Sequence, residues 1–174
     1  MKEIRFLPGL CGLVTSACST SFHHTHRSGA APAQLWARWT EVEQWPQWDT
    51  ELEYSHLDGA FEAGTKGRLK AEGSPESRFV LTEVRPERGY IYEVKLPLAA
   101  LQVRRRMLQV EPSGPVSFEH AVRFKGFMGW FFSALLKKKY ERALPGVMER
   151  LAAQAELEPS PEGSGPVTTS TQAD

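Results

Sequence analysis

At 174 residues, 41% hydrophobic and 24% charged, the chain is long enough for one compact domain with a sizeable core and too short for two full ones. Twenty-one basic side chains balance twenty-one acidic ones, so no net field gathers nucleic acid or an acidic surface over distance. Nucleic acid is not an expected partner; shape and apolar contact are the expected means of recognition.

The segment Met1 to Cys18 stands apart from the rest of the chain. Lys2 and Arg5 precede an apolar stretch, Phe6 to Val14, and Thr15-Ser16-Ala17-Cys18 has the small-small-Cys form of a lipoprotein processing site. Against a secretory role, Glu3 lies among the leading charges, Pro8, Gly9 and Gly12 interrupt the stretch, and Thr15 stands where such sites usually carry Leu. The first strand also begins at about Ser19, which leaves no tether after Cys18. The expectation is a cytoplasmic extension; the alternative is export or a lipid anchor through Cys18. Cys11 and Cys18 would bridge nothing distant, and no histidine lies at zinc-like spacing from them. No other apolar run approaches the roughly 18 residues of a membrane span.

The domain proper is expected over residues 19–156, followed by a Pro-, Gly- and Ser-rich tail over 157–174 with almost nothing to bury. Ser21 to Arg27 alternates weakly and ends at Gly29, which predicts a first strand. Pro32 suits a helical start, and Leu35, Trp36 and Trp39 share a face at helical spacing. Trp45-Pro46-Gln47-Trp48 is a turn or a second short helix. Lys66, Arg68 and Lys70 then alternate with Gly67, Leu69 and Ala71, a strand with its charged side outward. Strands come next at Arg78 to Val84, Tyr90 to Leu96, Leu101 to Val110 and Val116 to Lys125, with turn signals between them. Short connections make this an antiparallel meander.

A helix is predicted from about Met128 to Ala155. Phe131, Leu135, Leu136, Leu144, Val147, Met148 and Leu151 form its apolar stripe, and Lys137, Lys138, Lys139, Glu141 and Arg142 face water. Pro145 is expected to kink or divide it. The fold class is therefore α+β: a curved antiparallel sheet of about six or seven strands, two short helices, and a long C-terminal helix across the concave face.

Residues at the joints carry a resemblance. Ala31-Pro32-Ala33-Gln34-Leu35-Trp36 is similar to the opening of the polyketide cyclase/dehydrase group within the START-like, or SRPBCC, superfamily. Trp45-x-x-Trp48, Gly59-x-Phe61-x-x-Gly64-x-x-Gly67, Val84-x-Pro86 and Gly126-Phe127-Met128-Gly129 resemble that family's later landmarks in order. The resemblance implies a helix-grip fold with an internal cavity. It leaves the ligand open, because members bind lipids, quinones, hormones or aromatic polyketides, and some are enzymes.

His120 is the clearest candidate for chemistry, one imidazole on a strand face shared with Val116, Phe118, Val122 and Phe124. It is either a hydrogen-bonded core histidine or a group that orients a ligand or moves a proton. Arg105 interrupts the alternation Leu101, Val103, Arg105, Met107. Inside, it needs a carboxylate or a ligand oxygen; alternatively a bulge re-registers the strand and leaves Arg104, Arg105 and Arg106 in water. Tyr92 offers a hydroxyl beside Tyr90, Val94 and Leu96. The expected ligand-binding set is Tyr92, Val94, Val103, Arg105, Phe118, His120, Val122 and Trp130.

Three other patterns bear on function. His24 and His26 share a strand face with His23 beside them, yet no carboxylate or thiolate accompanies them, so no metal is expected. Trp36, Trp39, Trp45 and Trp48 have core-like spacing. Phe127, Met128, Trp130, Phe131 and Phe132, followed by three lysines, suit a cavity lid or, through Phe127, Trp130 and Phe131, peripheral membrane contact. No phosphate loop, Gly-x-Ser-x-Gly elbow or Cys–His pair occurs within the domain, and no cofactor is expected. The function expected is binding of a small hydrophobic or amphipathic ligand as carrier or sensor. The alternative is a cyclase or dehydratase in which His120 moves a proton and Arg105 or Tyr92 stabilises an oxyanion.

Overall fold

A computed structural model describes residues 21–109 and 115–158. The N-terminal segment over residues 1–18, and residues 159–174 of the tail expected over 157–174, lie outside the described residues. Seven strands, β1 (Ser21–Ser28), β2 (Leu52–Leu57), β3 (Lys66–Ala71), β4 (Ser77–Arg85), β5 (Gly89–Leu96), β6 (Ala99–Gln109) and β7 (Val116–Lys125), form one curled antiparallel sheet. The order is β1-β7-β6-β5-β4-β3-β2, so every neighbour is sequential except β1, which returns to pair with β7.

Helix α1 (Pro32–Thr40) begins with proline at its first position, where no N–H is required. The Gln34 side chain accepts from the Ala31 N–H at 2.7 Å, supplying half of a capping box. Leu35 and Trp39, one turn apart, are fully buried. A 3₁₀ turn at Val42–Gln44 leads into the four-residue α2 (Trp45–Trp48). The Trp45 indole donates to Trp39 O at 3.0 Å, and Ser55 Oγ donates to Val42 O at 2.7 Å, which fastens this irregular stretch to β2.

β2 is the strand that residue patterning does not reveal. Its inward positions are Ser55 and Leu57, while Tyr54 points outward and the register shifts between Leu52 and Tyr54. Opposite it, Gly67 is required: a Cβ there would lie 2.4 Å from both His56 O and the Phe79 ring.

Helix α3 runs unbroken from Gly129 to Glu156, so the expected division at Pro145 does not occur. Pro145 is exposed, and the carbonyl it deprives of a partner belongs to exposed Glu141, which water can satisfy. Its apolar phase also differs by one residue from expectation in the first turns. Phe132, Leu136 and Tyr140 pack inward, while Phe131 and Leu135 are 41% and 64% exposed. The C-terminal half is bolted down. Glu156 Oε1 accepts from Ser28 Oγ at 2.9 Å and from Gly29 N at 2.7 Å, and Arg150 donates to Trp48 O and Thr50 Oγ1. Beyond the helix, Glu158 pairs with Arg38 at 3.0 Å. Leu144, Val147, Met148, Leu151 and Ala155 are buried in that half, whereas the side chains of the preceding turns, Ser133 apart, are only partly covered or exposed. This difference along one helix locates the site.

Candidate functional site

Beneath the N-terminal half of α3 the concave face of the sheet encloses a cavity of about 360 Å³, within the usual range for small-molecule sites. Strand register builds its wall in cross-sheet rows. Val94, Leu101 and Phe124 form the outer row, Tyr92, Val103 and Val122 the middle row, and Tyr90, Arg105 and His120 the inner one. Successive rows are two residues apart, about 7 Å. The outer rows are apolar apart from the Tyr92 hydroxyl. Phe132, Leu136, Tyr140 and Ala143 of α3 form the opposite wall. At the mouth, Lys139 of α3 pairs with Glu51 at 2.6 Å, across from the Ser74-Pro75 turn.

The inner row is polar and dry. Arg105 is 2% exposed and its guanidinium carbon lies 4.8 Å and 4.5 Å from the Trp45 and Trp48 ring centroids, a desolvated cation held between aromatic faces. Nη1 donates to the Tyr90 hydroxyl and Nη2 to Asp49 Oδ2 at 3.2 Å. Nε has no partner among the described residues. Arg104 and Arg106, whose side chains point to the outer face, both pair with Glu119. The register irregularity of β6 comes after them, between Met107 and Gln109, so it does not bring Arg105 out.

Burial raises the Asp49 carboxyl above its ordinary value, and Arg105 only partly offsets it. Burial likewise pushes Tyr92 up to about 12 and raises Tyr90, so both phenols stay protonated. His120, 1% exposed, lies across the strand pair from Arg105, with Trp39 and Trp48 ring centroids each 6.1 Å away. Burial, then the Arg105 charge, then His24 hold it well below its ordinary value, and the imidazole is neutral. Its Nε2 is buried without a partner among the described residues.

Of the expected set, Tyr92, Val94, Val103, Arg105, His120 and Val122 line the cavity together. Phe118 lies one row deeper, fully buried against Trp39 and edge-on to His26, and belongs to the floor. Trp130 is 71% exposed and touches the Phe131 ring rather than the cavity. Sequence patterning missed Asp49, the ion-pair partner that a buried Arg105 demands, and the role of Tyr90. Tyr140, one turn from each of the stripe residues Leu136 and Leu144, also lines the cavity.

A curled antiparallel sheet gripping a long C-terminal helix over an internal cavity defines the helix-grip fold of the START-like class. Over residues 19–156 the sequence matches the polyketide cyclase / dehydrase and lipid transport family, and the chain belongs to it. Similar solved structures include the Zhui aromatase/cyclase from Streptomyces sp. R1128, with 12% identity, TM-score 0.65, and coverage of 83% of this chain and 98% of that one. Norcoclaurine synthase from Thalictrum flavum has 10% identity and TM-score 0.60, covering 91% and 99%. A START superfamily protein from Mycobacterium smegmatis has 12% identity and TM-score 0.60, covering 78% and 97%. At such identities the likeness establishes the fold. No curated protein matches the chain in sequence. No helix among the described residues is long and apolar enough to cross a membrane.

Proposed function

We propose that the protein binds a small amphipathic molecule, as carrier or sensor, with its apolar body along the Val94 and Val103 rows and an oxygen-bearing end at Arg105 and His120. The observation that carries this is the pairing of an apolar cavity with two polar atoms, Arg105 Nε and His120 Nε2, that have no partner among the described residues, at its inner end. Buried polar groups ordinarily have partners, and a ligand oxygen supplies one here. Anilinonaphthalene sulfonate, an apolar body with an anionic end, is a suitable probe. It should bind the wild-type protein, and Ala143→Trp, which fills the cavity from α3, should weaken it at least about tenfold by removing the apolar surface it covers. Equal binding by both proteins, or none by the wild type, would sink the proposal.

A second reading rests on the state of His120. A neutral imidazole with an uncommitted nitrogen, beside a fixed cation and a protonated Tyr92, can accept a proton from a carbonyl compound while Arg105 or Tyr92 stabilises the enolate oxygen. Cyclisation or dehydration of a polyketide-like substrate is the reaction class. On such a substrate His120→Gln should lower turnover about a hundredfold or more while leaving probe binding within a few-fold. Normal turnover by the variant removes His120 from any catalytic role.

A further inference from the structure

The first turns of α3 carry more apolar side chains than the cavity covers. Trp130 is 71% exposed, Leu135 at the cavity rim is 64% exposed, and Phe127 before them is 83% exposed. Leu98, 70% exposed, joins them from the β5–β6 turn, because Met128 N donates to Leu98 O at 3.1 Å. Gly126, at φ +91° and with no room for a Cβ beside Leu98 O, makes that close approach feasible. The result is a contiguous apolar tip of a kind that marks an interaction surface.

Charge decides the partner. Between Lys125 and Arg142 the chain carries five basic residues against the single acid Glu141; Glu93, Glu141 and Glu51 pair with Lys125, Lys137 and Lys139, which leaves the surface with an excess of two cations, counted with Lys138 and Arg142. A tryptophan and a phenylalanine at the tip with lysines behind them is the arrangement of an interfacial segment: rings seat at headgroup depth and ammonium groups reach anionic headgroups. A second copy docked tip to tip would set the same lysines against one another. The chain's own N-terminal segment, with Lys2 and Arg5 against Glu3, offers these lysines no acidic complement. We infer that this tip is a docking surface for an anionic lipid bilayer.

Docking does not depend on what the cavity holds, but it has a consequence for it. Leu135 is both exposed and part of the cavity lining, so the seated protein opens toward the lipid.

The test uses full-length protein with phosphatidylcholine vesicles, with and without phosphatidylserine. Wild type should sediment with the phosphatidylserine vesicles, less so as salt is raised, and its fluorescence should shift to the blue, since Trp39, Trp45 and Trp48 are already fully buried and Trp130 is the most exposed tryptophan described. Phe127→Ser with Trp130→Ser should cut vesicle affinity at least about tenfold, with anilinonaphthalene sulfonate uptake in vesicle-free buffer unchanged. Failure of the wild type to sediment, or sedimentation of the double variant like wild type, overturns the inference. So does a wild-type dimer that Trp130→Ser dissociates, which would make the tip an interface between copies. A wild-type emission unchanged by phosphatidylserine vesicles would overturn it too.

Discussion

Replacing Arg105 by Met is expected to destabilise the domain by about 3–5 kcal/mol, the usual cost of breaking a buried ion pair by removing one partner. For a domain of this size that is a fall in Tm of roughly 10–20 °C. Methionine fills much of the space between Trp45 and Trp48, so the loss is not chiefly one of volume. What remains behind is the Asp49 carboxyl, its side chain 14% exposed, and the Tyr90 hydroxyl, 2% exposed as a residue, both stripped of the guanidinium they face. Asp49 is already raised by burial with the cation present; without it, the carboxyl must take up a proton or find water, and either course carries a desolvation cost.

The pair, rather than the arginine alone, is what this experiment measures. Asp49→Asn keeps an oxygen for Nη2 and removes the charge, so combined with Arg105→Met it should recover at least about 1 kcal/mol of the single variant's loss, since contacting residues couple by 0.5–3 kcal/mol. Simple additivity of the two changes, read by urea denaturation, would mean that Asp49 and Arg105 do not act as a unit. Methionine in place of Arg105 should also remove the preference for ligands with an anionic end, because the remaining polar groups of the inner row are a neutral imidazole and a protonated phenol.

Much of this arrangement was legible because strands with short turns leave a period of two in the sequence. The alternations around Val103, Val122 and Val94 placed those residues on one face, and Arg105 and His120 stood out as the two breaks in them. Register between strands was not legible, and it is register that sets Tyr90, Arg105 and His120 in one row and drops Phe118 to the floor. Asp49 was invisible for another reason: it is the C-cap of a four-residue helix, too short for any periodicity to give it a direction. β2 escaped because only Leu57 of its inward positions is apolar. The first turns of α3 misled because apolar residues lie on both faces; Phe131 and Leu135 fit a helical stripe as well as Phe132 and Leu136 do, and only the sheet's position distinguishes them.

Stability should depend on pH through His120 with a definite sign. Its folded-state value lies well below 6.5, so between that depressed value and 6.5 the unfolded chain holds a proton at this position that the folded protein does not. Folding stability is therefore complete above about pH 6.5 and is lost as the pH falls, at a slope approaching about 1.4 kcal/mol per pH unit once the unfolded imidazole is fully charged. Arg105 from β6 and His24 from β1 face the imidazole and both oppose its charging. Asp49, beyond Arg105, acts with the opposite sign: its raised value makes the folded protein bind more protons than the unfolded chain above 3.8, so its share of stability grows on acidification. The two are separated by difference. His120→Gln should flatten the fall between about pH 7 and pH 5 by close to one proton, and Asp49→Asn should steepen the acid limb of whichever protein carries it. Denaturant midpoints across that range give the slopes directly. Parallel profiles for wild type and His120→Gln would place the imidazole in contact with water or with a carboxylate, and would remove both the neutral base and the dry polar row from the site.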